Sequence, residues 1–193
     1  MQHKHIYLVR HGQTEWSQNG RHTGLTDIPL TKLGEEQSLA LGKRLHTLPI
    51  QTILCSPLQR AKKTYELCSL NAKVHFDPDL TEWNYGNYEG LTSAEIHKDN
   101  PSWSIFTHGA PGGESIQDLT LRAEKVLKQC HSLPGDIALF SHGHFLRALA
   151  ALWIQLSVQE GRHLALSPAS LSILHFERQT PVILRWNDTS HCS

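Results

Sequence analysis

The chain has no excess charge of either sign. Its 193 residues include 18 Lys and Arg and 18 Asp and Glu, so its formal net charge is zero. Balanced charge argues against broad binding to nucleic acid or to an anionic membrane surface. No apolar run reaches the length of about 18 residues that a membrane-spanning helix needs. Any attraction for an anionic substrate must therefore come from a few placed cations.

Cysteine is also scarce, and no two cysteines form a C-x-x-C pair. The four are Cys55, Cys68, Cys130 and Cys192, and we expect buried, reduced thiols. The start of the chain has no apolar stretch behind a basic segment, which a secretory signal would show. These features together predict a cytoplasmic protein.

The apolar runs that are present are short, and most are followed by a helical pattern. One set predicts β-strands, at residues 5–9, 52–55, 73–76 and 136–141. Two further runs lie close together and predict a hairpin, at 171–176 and 182–186. This order predicts an α/β fold, a three-layer sandwich with a mostly parallel central sheet and an antiparallel edge hairpin. We expect a single domain over residues 1–193.

Helix boundaries follow from the capping residues. Thr31 precedes an amphipathic segment as an N-cap, and Ser56 followed by Pro57 is expected to begin the helix that carries Arg60. Between the first strand and the first of these helices, residues 13–30 are polar and include several turn residues. They predict a long loop, and loops of that length usually serve a function.

Two predicted strands end in a histidine followed by a glycine, at His11-Gly12 and at His142-Gly143. Arg10 precedes the first histidine, and Arg60 follows another predicted strand. Ligands bind at the carboxyl ends of the strands in sheets of this kind, and glycine lets the backbone approach a ligand closely. We therefore expect both histidines and both arginines to converge on one site.

This cluster suits the chemistry of a phosphate ester, because guanidinium groups can hold several oxygens of a phosphate dianion. Nearby arginines should lower the pKa of His11 and keep its imidazole neutral. One ring nitrogen could then attack phosphorus while the other donates to a backbone carbonyl. His142 could donate to the phosphate during transfer. Just beyond it, His144 and Arg147 are expected to face the interior or a neighbouring helix.

The leaving alkoxide of such a reaction needs a proton donor. Glu82 is the best candidate, because its hydrophobic neighbours and the adjacent phosphate dianion would both favour its protonated form. Glu15, Glu89 and Glu114 also lie near predicted loops and remain alternatives for this role.

Five blocks of the sequence resemble one known family. They are Arg10-His11-Gly12-Gln13-Thr14-Glu15-Trp16-Ser17, Thr23-Gly24-Leu25-Thr26-Asp27 with Leu30-Thr31-Lys32-Leu33-Gly34, Ser56-Pro57-Leu58-Gln59-Arg60-Ala61, Glu82-Trp83-Asn84-Tyr85-Gly86-Asn87-Tyr88-Glu89-Gly90 and Ser141-His142-Gly143-His144. In this order they resemble the histidine phosphatase superfamily, in its phosphoglycerate-mutase-like branch, over nearly the whole chain. The resemblance implies an α/β sandwich that uses no metal or other cofactor and acts on a small phosphorylated metabolite.

The resemblance also implies roles for individual residues. His11 would be the phosphorylated nucleophile, and Glu82 would be the proton donor and later the base for the attacking water. The phosphate pocket would be completed by Arg10, Arg60 and His142. The residues expected to contact the substrate are Ser17, Thr23, Gly24, Tyr85 and Gly143.

The same pocket can run a mutase reaction or a hydrolysis. Mutases of this family carry a longer insertion rich in Arg and Pro, whereas residues 88–111 are short and contain no arginine. Mutases also have Asn where this chain has Ser17, so both departures favour hydrolysis. Blocks 23–27 and 82–86 resemble sedoheptulose-bisphosphatase-like enzymes, which favours a small sugar phosphate. A second substrate phosphate would need a partner such as Lys98 or Arg162.

Three rival interpretations are weaker. A metal site could use His3-x-His5 or His142-x-His144, but no further ligands stand at zinc-like spacing. A cysteine phosphatase would need Arg six positions after its Cys, whereas Arg60 is five positions after Cys55. The chain has no Walker P-loop and no G-x-S-x-G elbow. A non-catalytic module that binds phosphate esters is the third, and the oligomeric state stays open.

Overall fold

The computed structural model describes residues 4–192. The strands are β1 (Ile6–Arg10), β2 (Ile50–Cys55), β3 (Lys73–Phe76), β4 (Asp136–Ser141), β5 (Leu171–Glu177) and β6 (Thr180–Asp188). The α-helices are α1 (Glu15–Asn19), α2 (Lys32–Leu45), α3 (Gln59–Cys68), α4 (Ser93–Asp99), α5 (Ile105–His108), α6 (Ile116–Ser132) and α7 (Gly143–Trp153). Short 3₁₀ segments lie at Pro78–Leu80, Gly86–Tyr88, Val158–His163 and Ser190–Cys192.

The strands form one sheet in the order β3-β2-β4-β1-β5-β6. Strands β1 to β4 run parallel, whereas β5 is antiparallel to both β1 and β6. Strand β4 lies between β1 and β2, and each of its residues after Asp136 is buried. A parallel strand that is covered on both faces reads as a continuous apolar run. The predicted parallel sheet with an antiparallel edge hairpin is confirmed.

Helices cover both faces of this sheet, so the predicted three layers are confirmed. Because successive side chains of a strand point to opposite faces, Leu8 and Val9 belong to different cores. The core around Leu8 packs against α4, α5, α6 and α7. The core around Val9 packs against α2 and α3. Because helices cover both faces, the loops that follow the parallel strands lie together at the edge formed by the carboxyl ends of these strands.

The expected start of α3 is wrong. The helix begins at Gln59, and its N-cap residue Leu58 makes no side-chain capping bond. Instead, Oδ1 of Asp27 accepts the Gln59 N–H at 2.7 Å. Ser56 is fully buried, and its Oγ lies 2.8 Å from Nε2 of His142. Ser56 Oγ also accepts the Leu58 N–H at 3.3 Å, so the hydroxyl serves both a nearby backbone donor and a tertiary partner.

The long loop predicted over residues 13–30 is interrupted by the short helix α1. Its N-cap Thr14 and Ser17 form a reciprocal pair, in which each side chain accepts the other residue's backbone N–H. This is a capping box built with Ser at the third helical position, where Glu or Gln is the usual residue. The unusual residue explains why the sequence pattern did not predict the helix.

All four cysteines are free thiols, as expected. Cys55, Cys68 and Cys130 are buried, but Cys192 is exposed, so the prediction of burial is wrong for that residue. Within residues 4–192, no helix combines the length and the apolar character that crossing a membrane requires.

Candidate active site

The two strand-end histidines meet because β1 and β4 are parallel neighbours in register. Arg10 pairs with Ser141, and the next residue of each strand is the histidine. The ring centroids of His11 and His142 are 5.2 Å apart. The predicted convergence of these two histidines is confirmed.

His11 is held as a neutral imidazole with a defined tautomer. Only 4% of the residue is exposed, and its Nδ1 donates to the carbonyl oxygen of Gly12 at 2.7 Å. Burial lowers the pKa of His11 well below its usual value, and the charges of Arg60 and Arg10 lower it further. Since Nδ1 carries the proton, Nε2 keeps its lone pair. The expected pKa direction and backbone contact are both present, although burial has the larger effect.

Arg10 brings a buried positive charge to the same edge. Its Nη1 donates to the carbonyl oxygen of Leu166, while its buried Nε has no hydrogen-bond partner among the described residues. The guanidinium lies against Gly143, where an added Cβ would come within 3.3 Å of Cζ. Gly143 thus lets this cation approach the first turn of α7. A buried N–H donor without a partner is a ready contact for an anion.

Arg60 and His142 form a fully buried pair behind His11. Nε of Arg60 donates to Nδ1 of His142 at 3.1 Å, so the proton of His142 sits on Nε2 and is donated to Ser56 Oγ. Burial, followed by the charge of Arg60, lowers the pKa of His142 well below its usual value. Neither residue lines the cavity described below, so direct contact of the pair with a phosphate stays a prediction.

Glu82 is the carboxylate that the fold places at the site. One oxygen accepts the N–H groups of Trp83 and Phe145 at 2.9 and 2.8 Å, and the other accepts that of His144 at 3.0 Å. Two of these donors belong to the first turn of α7, where the helix dipole favours negative charge. The three N–H donors fix the position of this carboxyl group at the cavity, and its role as a proton donor stays a prediction.

The three alternative carboxylates lie elsewhere. Glu15 is exposed, and Glu114 forms an ion pair of 2.7 Å with Arg122. Glu89 accepts two backbone N–H bonds from the turn that contains Gly24. Of these candidates, only Glu82 lines the cavity.

A cavity of about 80 Å³ opens at this edge of the sheet. Seven of the ten predicted site residues line it, namely Arg10, His11, Ser17, Thr23, Glu82, Tyr85 and Gly143. Gly24, Arg60 and His142 do not. The N–H of Gly24 donates to Glu89, and its carbonyl oxygen accepts from Arg60. A substrate contact by Gly24 therefore stays a prediction.

The sequence reasoning missed five further lining residues, which are Arg21, His22, His144, Arg147 and Leu166. Arg147 was expected to face the interior or a neighbouring helix, and it does pack over Phe106 of α5. It also lines the cavity, because it lies four positions after Gly143 and so shares a face of α7 with it. The spacing of four residues between Gly143 and Arg147 could have identified Arg147 as a lining residue from the sequence. Arg21 and His22 directly precede the predicted contact Thr23.

Uncharged polar groups form one wall of the cavity. The Tyr85 hydroxyl is hydrogen-bonded to Nδ1 of His144. Burial raises the pKa of Tyr85 well above its usual value, and burial together with the charge of Arg147 lowers that of His144. Burial lowers the pKa of His22 to about 4. The charged residues that line the cavity are thus its three arginines and Glu82.

These buried histidines predict a dependence of stability on pH. Because the folded-state pKa values of His11, His142 and His144 lie well below 6.5, the unfolded chain takes up protons at these rings before the folded chain does. Between pH 7.5 and 5.5, the free energy of unfolding should therefore fall, by on the order of 1 kcal/mol for each histidine. Urea titrations at both pH values check this. Equal stability at the two values would contradict the neutral state assigned to these rings.

The metal interpretation finds no support in the described part of the chain. Residues 4–192 contain no group of three or more His, Cys, Asp and Glu that could hold a metal ion. His3 lies outside the described residues, and Nδ1 of His5 is paired with Asp136 at 3.2 Å. In the second pair, Nδ1 of His142 accepts from Arg60, and Nδ1 of His144 is bonded to Tyr85.

Comparison with known proteins points to the same chemistry as the arrangement of these residues. The family model for the histidine phosphatase superfamily (branch 1) matches residues 6–189. The chain belongs to this superfamily. An acid phosphatase from Mycobacterium tuberculosis is 39% identical over 89% of this chain and 86% of the relative. The sedoheptulose 1,7-bisphosphatase of Saccharomyces cerevisiae is 38% identical over 79% of this chain and 68% of the relative.

Two further similarities extend along nearly the whole chain. A protein of Salmonella choleraesuis named probable phosphoglycerate mutase GpmB is 32% identical over 96% of this chain and 94% of its own length. The solved structure of the open reading frame Rv3214 from Mycobacterium tuberculosis superposes with a TM-score of 0.91 at 36% identity, and covers 95% of this chain and 97% of that chain. Family membership and phosphatase-named relatives identify this histidine phosphatase as a phosphoric monoester hydrolase.

Proposed function

We propose that this histidine phosphatase hydrolyses a small sugar phosphate without a metal ion, through a phosphohistidine formed on His11. The observation that carries the proposal is the state of the His11 ring. It is neutral, its Nδ1 proton is committed to Gly12, and the residue lines a cavity together with the buried guanidinium of Arg10. A neutral imidazole with one free lone pair is a competent nucleophile.

The reaction would proceed in two displacements. In the first, Nε2 of His11 forms a bond to phosphorus while the ester P–O bond breaks, and the leaving alkoxide takes a proton from the acid form of Glu82. In the second, Glu82 removes a proton from water as the water oxygen attacks the phosphohistidine. The P–N bond then breaks, inorganic phosphate forms and the His11 lone pair is restored. The positive charge of Arg10 would stabilise the phosphoryl group in both steps.

The sugar phosphate preference is supported by the relative named sedoheptulose 1,7-bisphosphatase and by the cations at the cavity. The partners suggested from the sequence for a second phosphate, Lys98 and Arg162, do not line it. Arg162 instead lies near Glu160, with 3.5 Å between its Nη2 and Oε1. The cavity is lined by Arg21 and Arg147, and these are better placed to meet a second anionic group of the substrate.

Substitution of Arg147 tests that preference. In Arg147→Met, the KM for a sugar bisphosphate should rise about tenfold, because one charge-assisted contact is lost, while the KM for p-nitrophenyl phosphate should change little. Arg162→Met is the matched control and should leave both values unchanged. Arg147 also packs over Phe106 and donates to Gly161, so thermal melting must show that the variant is folded. A larger effect of Arg162→Met would restore the assignment made from the sequence.

A screen of sugar phosphates by phosphate release, joined to mass spectrometry of the quenched enzyme, tests the proposed function. We expect release from at least one sugar phosphate, an added phosphoryl mass on the peptide containing His11, and full activity in EDTA. Loss of activity in chelator with rescue by zinc would favour the metal interpretation. Binding without release would favour the non-catalytic module. Isomerisation of a phosphoglycerate without phosphate release would favour the mutase interpretation.

A further inference from the structure

The residue Glu89 stands outside the cavity, yet it contacts the turn that surrounds Arg60. Its Oε1 accepts the N–H of Gly24 at 2.7 Å and that of Thr26 at 3.2 Å. An added Cβ on Gly24 would lie 2.6 Å from Oε2 of Glu89 and from the carbonyl oxygen of Trp83. The Glu89 carboxylate therefore packs tightly against this turn and helps to fix its position.

The opposite side of this turn holds the guanidinium of Arg60. The carbonyl oxygen of Thr26 accepts from Nη1 at 3.0 Å, and those of Thr23 and Gly24 accept from Nη2 at 3.2 and 2.7 Å. These carbonyls accept from both Nη atoms of the guanidinium, and its Nε donates to His142. A network of this kind is stable because every polar group in it is satisfied.

We propose that Glu89 is a positioning residue for the phosphate pocket. Its carboxylate holds the 23–26 turn in the shape whose three carbonyls fix Arg60, and Arg60 in turn fixes the tautomer of His142. Glu89 does not line the cavity, so it acts on the site through the turn and through its charge. This inference rests on the proposed function, since it takes the cavity beside His11 as the phosphate site and keeps the predicted contact of Arg60 and His142 with the phosphate.

The charge on Glu89 has a second consequence. Burial lowers the pKa of Arg60, and the nearby carboxylates, Glu89 among them, act in the opposite direction. A buried guanidinium needs such compensation, because an uncompensated buried charge is costly. Glu89 therefore contributes both the shape of the turn and part of the negative charge that balances Arg60.

Three variants separate these effects. Glu89→Ala removes both acceptors, and the inhibition constant for orthovanadate should rise about tenfold because Arg60 loses its fixed place. Glu89→Gln keeps one oxygen that can accept both N–H bonds, and should recover most of that affinity. Glu36→Ala removes an exposed carboxylate of α2 and should match the unmodified protein. If Glu89→Ala does not fold, Glu89→Asp replaces it, since its shorter side chain cannot reach both N–H groups.

The ¹⁵N NMR spectrum of the histidine rings tests the proposal separately, because a general loss of stability would not change the chemical shifts of the ring nitrogens. The signals of His142 are assigned as those missing from the spectrum of His142→Asn. In the unmodified protein, they should show a protonated Nε2 and an Nδ1 that accepts a hydrogen bond. In Glu89→Ala these signals should shift, while the Nδ1-protonated signals of His11 should stay in place. Unchanged His142 signals together with unchanged vanadate affinity would overturn the proposal, as would equal losses in Glu89→Gln and Glu89→Ala. Failure of vanadate to bind the unmodified protein would instead refute the proposed function, and the His142 signals would still test Glu89.

Discussion

Replacing His11 with alanine is expected to lower kcat by at least about 10³-fold on every phosphate ester, because it removes the ring whose Nε2 lone pair lies beside the Arg10 guanidinium at the cavity. The second nearby imidazole, His142, is fully buried and uses both ring nitrogens in contacts to Arg60 and Ser56. It cannot replace the lost nucleophile without breaking that network. Steady-state kinetics and the loss of the phosphoryl mass from the quenched enzyme measure the result.

The fold of this variant should survive. The substitution removes the hydrogen bond from Nδ1 to Gly12, which costs about 1 kcal/mol, and leaves a small space beside the cavity. His46→Ala, which truncates an exposed histidine at the end of α2, is the matched control and should retain full activity. Substantial turnover by folded His11→Ala, or a phosphoryl group found on another residue, would contradict the role given to His11.

Glu82→Gln is expected to produce the second largest effect, and the effect should depend on the leaving group. An alkoxide leaves poorly unless it is protonated, so kcat for a sugar phosphate should fall by about 10²- to 10⁴-fold. p-Nitrophenolate leaves readily as an anion, so its rate should fall much less. Comparing kcat for the two substrates measures this difference, and equal losses on both would assign Glu82 another role.

The same substitution should also destabilise the protein. The carboxylate accepts three backbone N–H groups, from Trp83, His144 and Phe145, whereas an amide offers one oxygen and turns a donor towards the remaining N–H. Leaving a buried donor unsatisfied costs about 1 to 3 kcal/mol, so kinetics must be measured well below the melting temperature. Glu114→Gln breaks the ion pair with Arg122 and is the matched control. It should lower stability without a leaving-group dependence.

The strand-end histidines illustrate what periodicity and spacing can predict. A buried parallel strand reads as an apolar run, and the residue that follows it must lie at the edge where ligands bind. His11 and His142 could therefore be placed together before any coordinates, since each directly follows such a run. The direction of the His11 pKa shift was also predictable, because nearby guanidinium groups disfavour imidazolium.

Other features depended on contacts between segments that are distant in the sequence. Ser56 is a good helix cap by local preference, yet its hydroxyl bonds to His142, which is 86 positions away. Arg147 was expected to face the interior or a neighbouring helix, and it contacts Phe106 of α5 but also lines the cavity. The N–H of Gly24 is held by Glu89, which is 65 positions away. No local pattern encodes these partners, because each depends on how the loops pack over the sheet.

By itself, the sequence determined the layered α/β fold, the edge of the sheet that carries the site, and the residue types suited to phosphoryl transfer. These follow from short-range rules, namely strand periodicity, helix capping and the chemistry of adjacent residues. Only the tertiary structure decided which carboxylate reaches the cavity, which arginines line it, and which polar groups are occupied by one another instead of facing it. A donor that is hydrogen-bonded to one acceptor is no longer available to another. Which acceptor it meets is decided only when segments that are distant in the sequence pack together.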